Sequence, residues 1–126
     1  PNAYANGITH KELVIINASL PRGVAQRAYL FDRGSGKTIE PVPESQHIYA
    51  NGINDAGVIV GEFTYPIGSR CCPHAYVWFK GKMLDLGALQ DQFGTSAAKA
   101  INKSGVIVGW RIALEGVEHA ILWRPK

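Results

Sequence analysis

Short apolar runs rich in β-branched and aromatic residues recur along the chain, and Gly, Pro, Asn and Ser separate them. That pattern predicts closely spaced strands, and no stretch keeps a helical period. Eleven strands are expected, at about 3–8, 12–18, 26–32, 37–43, 47–53, 58–65, 74–79, 82–87, 96–101, 105–112 and 119–124. Val58-Ile59-Val60 and Ala75-Tyr76-Val77-Trp78-Phe79 are apolar at every position, which fits a sheet covered on both faces.

The strands recur in blocks. Ile53-Asn54-Asp55-Ala56-Gly57-Val58-Ile59-Val60-Gly61 returns as Ile101-Asn102-Lys103-Ser104-Gly105-Val106-Ile107-Val108-Gly109, and a divergent copy runs from Ile8 to Ile16. The first apolar position moves from 8 to 53 to 101, a period of 45 to 48 residues, which is the length of a four-stranded propeller blade. Tyr4-Ala5-Asn6-Gly7-Ile8 recurs as Tyr49-Ala50-Asn51-Gly52-Ile53. Arg27-Ala28-Tyr29-Leu30-Phe31 matches His74-Ala75-Tyr76-Val77-Trp78 and His119-Ala120-Ile121-Leu122-Trp123. Thr38 to Val42 aligns with Lys82 to Leu86, which sets Asp85 against Pro41. The repeats run over about 3–47, 48–95 and 96–126 within a single domain.

Turn chemistry agrees with the strands. In Asn54-Asp55-Ala56-Gly57 the side chain of Asn or Asp can bond the backbone just ahead, and Gly57 supplies the left-handed residue that closes the hairpin. Asn102 to Gly105 repeats this, whereas Glu12 stands where the glycine should be, so the first turn is expected to be strained or of another type.

These blocks together resemble the HAF-repeat family. The likeness is carried by Ile53 to Gly61, by His74-Ala75-Tyr76-Val77-Trp78, by Met83-Leu84-Asp85-Leu86-Gly87 and by Ser96-Ala97-Ala98-Lys99-Ala100-Ile101-Asn102. It covers 48–124 well and 3–43 loosely; the Phe of the His-Ala-Phe strand is replaced in every copy, and Arg27 replaces the His of the first. The resemblance implies a bacterial, often exported protein with propeller-like repeats, secreted or held in the periplasm or at the cell surface. It transfers no catalytic residue.

The fold class expected is therefore all-β: about three four-stranded antiparallel propeller-like blades, with a three-sheet prism or sandwich as the alternative. Eleven strands are one short of three full blades, and open sheet edges invite pairing. A homo-oligomer, most simply a dimer of about six blades, is the expected completion.

Composition narrows the chemistry. A net charge of +3 with scattered basic residues supplies no stripe for nucleic acid, and no apolar run reaches the length of a membrane helix. No cofactor, metal or catalytic motif stands out. Gly34-Ser35-Gly36-Lys37-Thr38 lacks the spacing of a phosphate-binding loop and joins two strands. The two cysteines, Cys71 and Cys72, are adjacent; either a vicinal disulfide or two loop thiols fits, and zinc-ligand spacing is absent. His74 is expected to bond a turn or Asp85, and Trp78 and Trp123 to lie between sheets.

The functional expectation is a non-enzymatic binding module for a carbohydrate or a protein. A glycan-acting hydrolase or lyase, or a structural piece of a larger surface protein, are the alternatives. The loop 64–73 and the loop 111–118 differ between copies while the strands repeat, so a ligand is expected at Tyr65, Arg70, Trp110 and Arg111.

Overall fold

A computed structural model describes residues 3–19, 26–40, 47–64, 73–87, 95–112 and 116–124. Every described regular element is a strand: β1 (Ala3–Ile8), β2 (Leu13–Ser19), β3 (Gln26–Asp32), β4 (Lys37–Ile39), β5 (His47–Ile53), β6 (Ile59–Thr64), β7 (His74–Phe79), β8 (Lys82–Asp85), β9 (Thr95–Ile101), β10 (Ile107–Ile112) and β11 (Glu118–Trp123). They form three antiparallel sheets in the orders β1-β2-β3-β4, β5-β6-β7-β8 and β11-β10-β9. The all-β architecture and its eleven strands thus match the apolar pattern. The fourth strand of the first sheet stops at Ile39, short of its expected end, and 41–46 lie outside the described residues.

Each sheet starts from one turn design. Asn54 Oδ1 accepts from the amides of Ala56 and Val58, both at 3.1 Å, and the Gly57 amide donates to the Asn54 carbonyl at 3.0 Å. Asn102 Oδ1 accepts from the Val106 amide at 2.9 Å, and Thr9 Oγ1 takes the same role for Leu13 at 3.0 Å. Gly57 and Gly105 sit at φ 85° and 86°, and Glu12 is held at φ 62° by the same backbone bond, from its amide to the Thr9 carbonyl. The first turn therefore keeps the geometry of the others and carries its strain at Glu12.

Each first strand bulges by one residue, at Asn6, Asn51 and Lys99. The bulge turns a side chain toward the next sheet: Asn6 Nδ2 donates to the Ala50 carbonyl at 3.0 Å, and Asn51 Nδ2 to the Ala98 carbonyl at 2.9 Å. Asn17 joins the first of these contacts. Its side chain donates to the Ala50 carbonyl at 3.0 Å and accepts from the Ala50 amide at 2.9 Å, fully buried.

The sheets stack in chain order. Strand β5 packs on β1, β2 and β3, and β9 packs on β5, β6 and β7. One core lies between the first two sheets and holds Ile15, Leu30, Ile48, Ile59, Phe63, Tyr76 and Trp78. A second lies between the last two and holds Val60, Ala75, Leu86, Ala98 and Ile107. Neighbouring residues of β6 and β7 face opposite cores, as strand alternation requires, so the middle sheet is covered on both faces. The described strands do not close into a barrel, and a serial stack fits either blades or a layered sandwich.

Register corrects one alignment. Trp78 opposes Met83 and Phe31 opposes Thr38, so Glu40, not Pro41, stands at the position of Asp85. The correction explains Arg27. Its guanidinium pairs with Glu40 through Nη2 and through Nε at 2.7 Å, where the second sheet pairs His74 Nδ1 with both Asp85 oxygens at 3.0 Å. Both buried side chains, Arg27 and His74, are tied to a carboxylate in the segment that follows their strand.

Candidate functional site

A cleft of about 300 Å³ opens over the start of β5 and the end of β6, lined by His47, Tyr49, Glu62, Phe63, Thr64 and Pro73. The ladder places its polar side chains. His47 opposes Thr64 and Tyr49 opposes Glu62, so all four share one face of the sheet. The His47 amide donates to Thr64 Oγ1 at 3.0 Å. His47 Nδ1 accepts from the Gln26 amide at 3.0 Å, which selects the neutral ring with its proton on Nε2.

Glu62 lies nearly buried beside the cleft, with Asn51 Nδ2 at 3.3 Å and the Lys99 ammonium at 3.5 Å. Behind it, Tyr76 is fully buried, and its hydroxyl donates to the Tyr49 carbonyl at 3.1 Å. Burial pushes the Tyr76 hydroxyl far above its ordinary value, and the Glu62 charge pushes it further. The hydroxyl stays a donor throughout the usual pH range, so the backbone beneath Tyr49 is fixed. Tyr49 itself keeps 37% of its surface exposed. The cleft thus offers an aromatic face, a carboxylate acceptor, an imidazole N–H donor and a nearby ammonium. Those groups suit a polar, ring-bearing ligand held by stacking and directed hydrogen bonds.

Among the described residues no group of three or more His, Cys, Asp and Glu is placed to hold a metal ion. The Asp85 carboxylate is engaged by His74, as the sequence reading expected. Trp78 lies in the first inter-sheet core, also as expected, and Trp123 packs half-buried against the second.

Of the ligand residues expected from sequence, Tyr65 and Arg70 lie outside the described residues, as do Cys71 and Cys72. The ends of their segment are Thr64 and Pro73, which both line the cleft. Trp110 and Arg111 are half-buried on β10. As consecutive strand residues they point to opposite faces. Arg111 shares the face of Ile107, toward the middle sheet, and opposes Ser96, whose amide donates to the Pro73 carbonyl at 3.0 Å. Trp110 lies on the other face with Val108, away from the stack. The structure therefore brings Arg111 to the cleft's side of the molecule and separates it from Trp110.

His47, Tyr49 and Glu62 escaped the sequence reading. Glu62 had one visible mark: its position is Asn17 in the first repeat and Trp110 in the third, so it varies inside a strand that otherwise repeats. Tyr49 was masked by Tyr4, its identical counterpart. No family model matches the chain, and neither a curated protein nor a solved structure does.

Proposed function

We propose that this chain is a binding module of HAF-repeat type, a stack of propeller-like blades that takes a carbohydrate in the cleft over β5 and β6. The observation that carries this reading is the pairing of an exposed aromatic ring, Tyr49, with the Glu62 carboxylate directly opposite it on the same sheet face. Sugar rings stack their apolar face on an aromatic ring and direct hydroxyls at carboxylate and imidazole groups. Arg111 flanks it, and the segment that holds Tyr65 and Arg70 lies between Thr64 and Pro73, outside the described residues.

Glycan-array binding by the parent, Tyr49→Ala, Glu62→Gln and Trp110→Ala tests this. Tyr49→Ala is expected to weaken binding about tenfold or more, equivalent to about 1.4 kcal/mol, while Trp110→Ala binds like the parent. Equal loss in all three, or a parent that binds no glycan, removes the proposal. Release of reducing sugar by the parent would point to a hydrolase instead.

The same reading includes self-assembly. The outward face of the first sheet presents Ile8, and that of the third presents Val108 and Leu122, all more than 40% exposed. Their counterparts Ile53, Val60 and Val77 are covered by a neighbouring sheet. A second copy stacked head to tail covers both faces. Light scattering at micromolar concentration that gives a monomer mass rules this out. The resemblance also implies export from a bacterial cell, which fractionation of the source cells tests.

A further inference from the structure

The two ring nitrogens of His47 have different tasks. Nδ1 accepts from the Gln26 amide at 3.0 Å, across the joint between the first and second sheets. Nε2 has no partner among the described residues, and its N–H is left to the cleft that His47 lines. Only the neutral imidazole can do both. The imidazolium carries a proton on each nitrogen and accepts nothing.

Protonation therefore sets two N–H donors against each other, and Gln26 has no means of absorbing the change. Its side-chain Oε1 accepts from the Ser19 hydroxyl at 2.9 Å. Its Nε2 is already a buried donor without a partner among the described residues. Orphaning the backbone N–H as well would add a second unmet donor at the same place. The His47 backbone is pinned, because its amide donates to Thr64 Oγ1 at 3.0 Å. What can move is the imidazole, by changing its side-chain rotamer.

The cleft offers that ring one destination. Glu62 is the one carboxylate among the residues lining it, and it sits diagonally across the ladder from His47, where long and aromatic side chains still reach each other. Its Oε1 has only long contacts, to Asn51 at 3.3 Å and to the exposed Lys99 at 3.5 Å. The other titratable groups on the described strands packed against β5 do not compete. Arg27, beside Gln26 on β3, is paired with Glu40, and Asp32 lies at the far end of that strand. Strands β1 and β3 add the phenols of Tyr4 and Tyr29, and β2 adds no titratable group.

We propose that His47 is a proton-operated latch on the cleft. Neutral, the ring stays on Gln26 and presents its Nε2–H to the ligand. Protonated, it leaves Gln26 and turns to Glu62. That movement takes from the cleft both the donor and the acceptor that sugar hydroxyls would use. Binding is full at the alkaline end of the range in which imidazoles titrate, about pH 5 to 8, and falls toward the acid end. The effect on a sugar rests on the carbohydrate reading of the cleft; the latch itself does not.

Two measurements on the intact chain separate them. Nitrogen-15 NMR of the ligand-free protein reads the latch. At about pH 8 His47 should show a bare Nδ1 and a proton on Nε2; at about pH 5 the Gln26 amide should lose its hydrogen-bonded shift and its exchange protection about tenfold. An array of neutral glycans at the same two pH values reads the consequence. The parent should bind about tenfold more weakly in acid. His47→Asn puts a side-chain oxygen at the place of Nδ1 and does not titrate. It should bind more weakly than the parent in alkali and equally at both pH values. A proton on Nδ1 in alkali, a Gln26 amide that does not change with pH, or a His47→Asn variant that keeps the parent's loss in acid overturns the latch. A parent that binds no neutral glycan while the NMR changes occur bears out the latch and removes the carbohydrate reading.

Discussion

The two inter-sheet cores are built from equivalent residues and end up unequally filled. Trp78 and Trp123 share a repeat position, yet Trp78 is 4% exposed beneath Met83, and Trp123 borders an open cavity. Each carries a buried indole N–H with no hydrogen-bond partner among the described residues, so that cost is common to both. The difference lies in packing: among the described residues the middle sheet is covered on both faces, and the third on one. The same letters thus carry different energies because of what covers them.

Truncation should expose that inequality most. Trp78→Ala is expected to cost about 3–5 kcal/mol, typical of emptying a well-packed aromatic site. Trp123→Ala should cost clearly less, since part of its surroundings is already open. Urea unfolding of both variants measures the gap, and equal losses would mean that the second core is as tight as the first.

Two glycines give the next contrast. A Cβ on Gly61 would lie 1.9 Å from the Tyr49 carbonyl oxygen, and one on Gly109 would lie 2.0 Å from that of Ala97. The first-strand bulge brings each carbonyl this close. Gly61→Ala should destabilise by about 3 kcal/mol. Gly109→Ala should cost less in the isolated protomer, because among the described residues nothing covers the outer face of the third sheet, toward which it can shift. Calorimetric melting of the pair decides whether the free face provides that relief.

Asn17 and Glu62 occupy one repeat position and treat the neighbouring sheet differently. Asn17 bonds both backbone groups of Ala50, whereas Glu62 turns to Asn51 and Lys99. Asn17→Ala leaves the Ala50 amide unsatisfied in the core and should cost about 1–3 kcal/mol. Glu62→Gln, beside an exposed lysine, should change stability by under about 1 kcal/mol. A similar loss in both would show that Glu62 is structural, and would weaken its place in the cleft.

The smallest effect concerns the turns. Glu12→Gly relieves a left-handed backbone costing on the order of 1 kcal/mol. It removes the exposed Glu12–Arg33 pair, 2.8 Å long and worth about 0.2–1 kcal/mol. A net gain below about 1 kcal/mol is expected, against a loss of about 1–3 kcal/mol for Gly57→Val. A destabilised Glu12→Gly variant would show that the pair outweighs the strain.

The sequence by itself determined the strands, their number and the repeat. Those follow from local chemistry: β-branched and aromatic runs set the strands, and Asn with Gly, or Thr9 with Glu12, sets the turns. It also offered Asp85 as one of two expected partners of His74, the other being a turn, and His74 does pair with Asp85. Only the tertiary structure decided the register that pairs Arg27 with Glu40, since Ile39 can align with either Met83 or Leu84 and only the strand pairing sets it opposite Leu30, as Leu84 is opposite Val77. Strand alternation likewise parted Trp110 from Arg111, which are neighbours in the chain and lie on opposite faces of β10. The cleft gathers His47, Tyr49 and Glu62 from two strands, and the cavity beside Trp123 is lined from two sheets. Both are properties of surfaces brought together by stacking, which a linear pattern of apolar and polar letters does not encode.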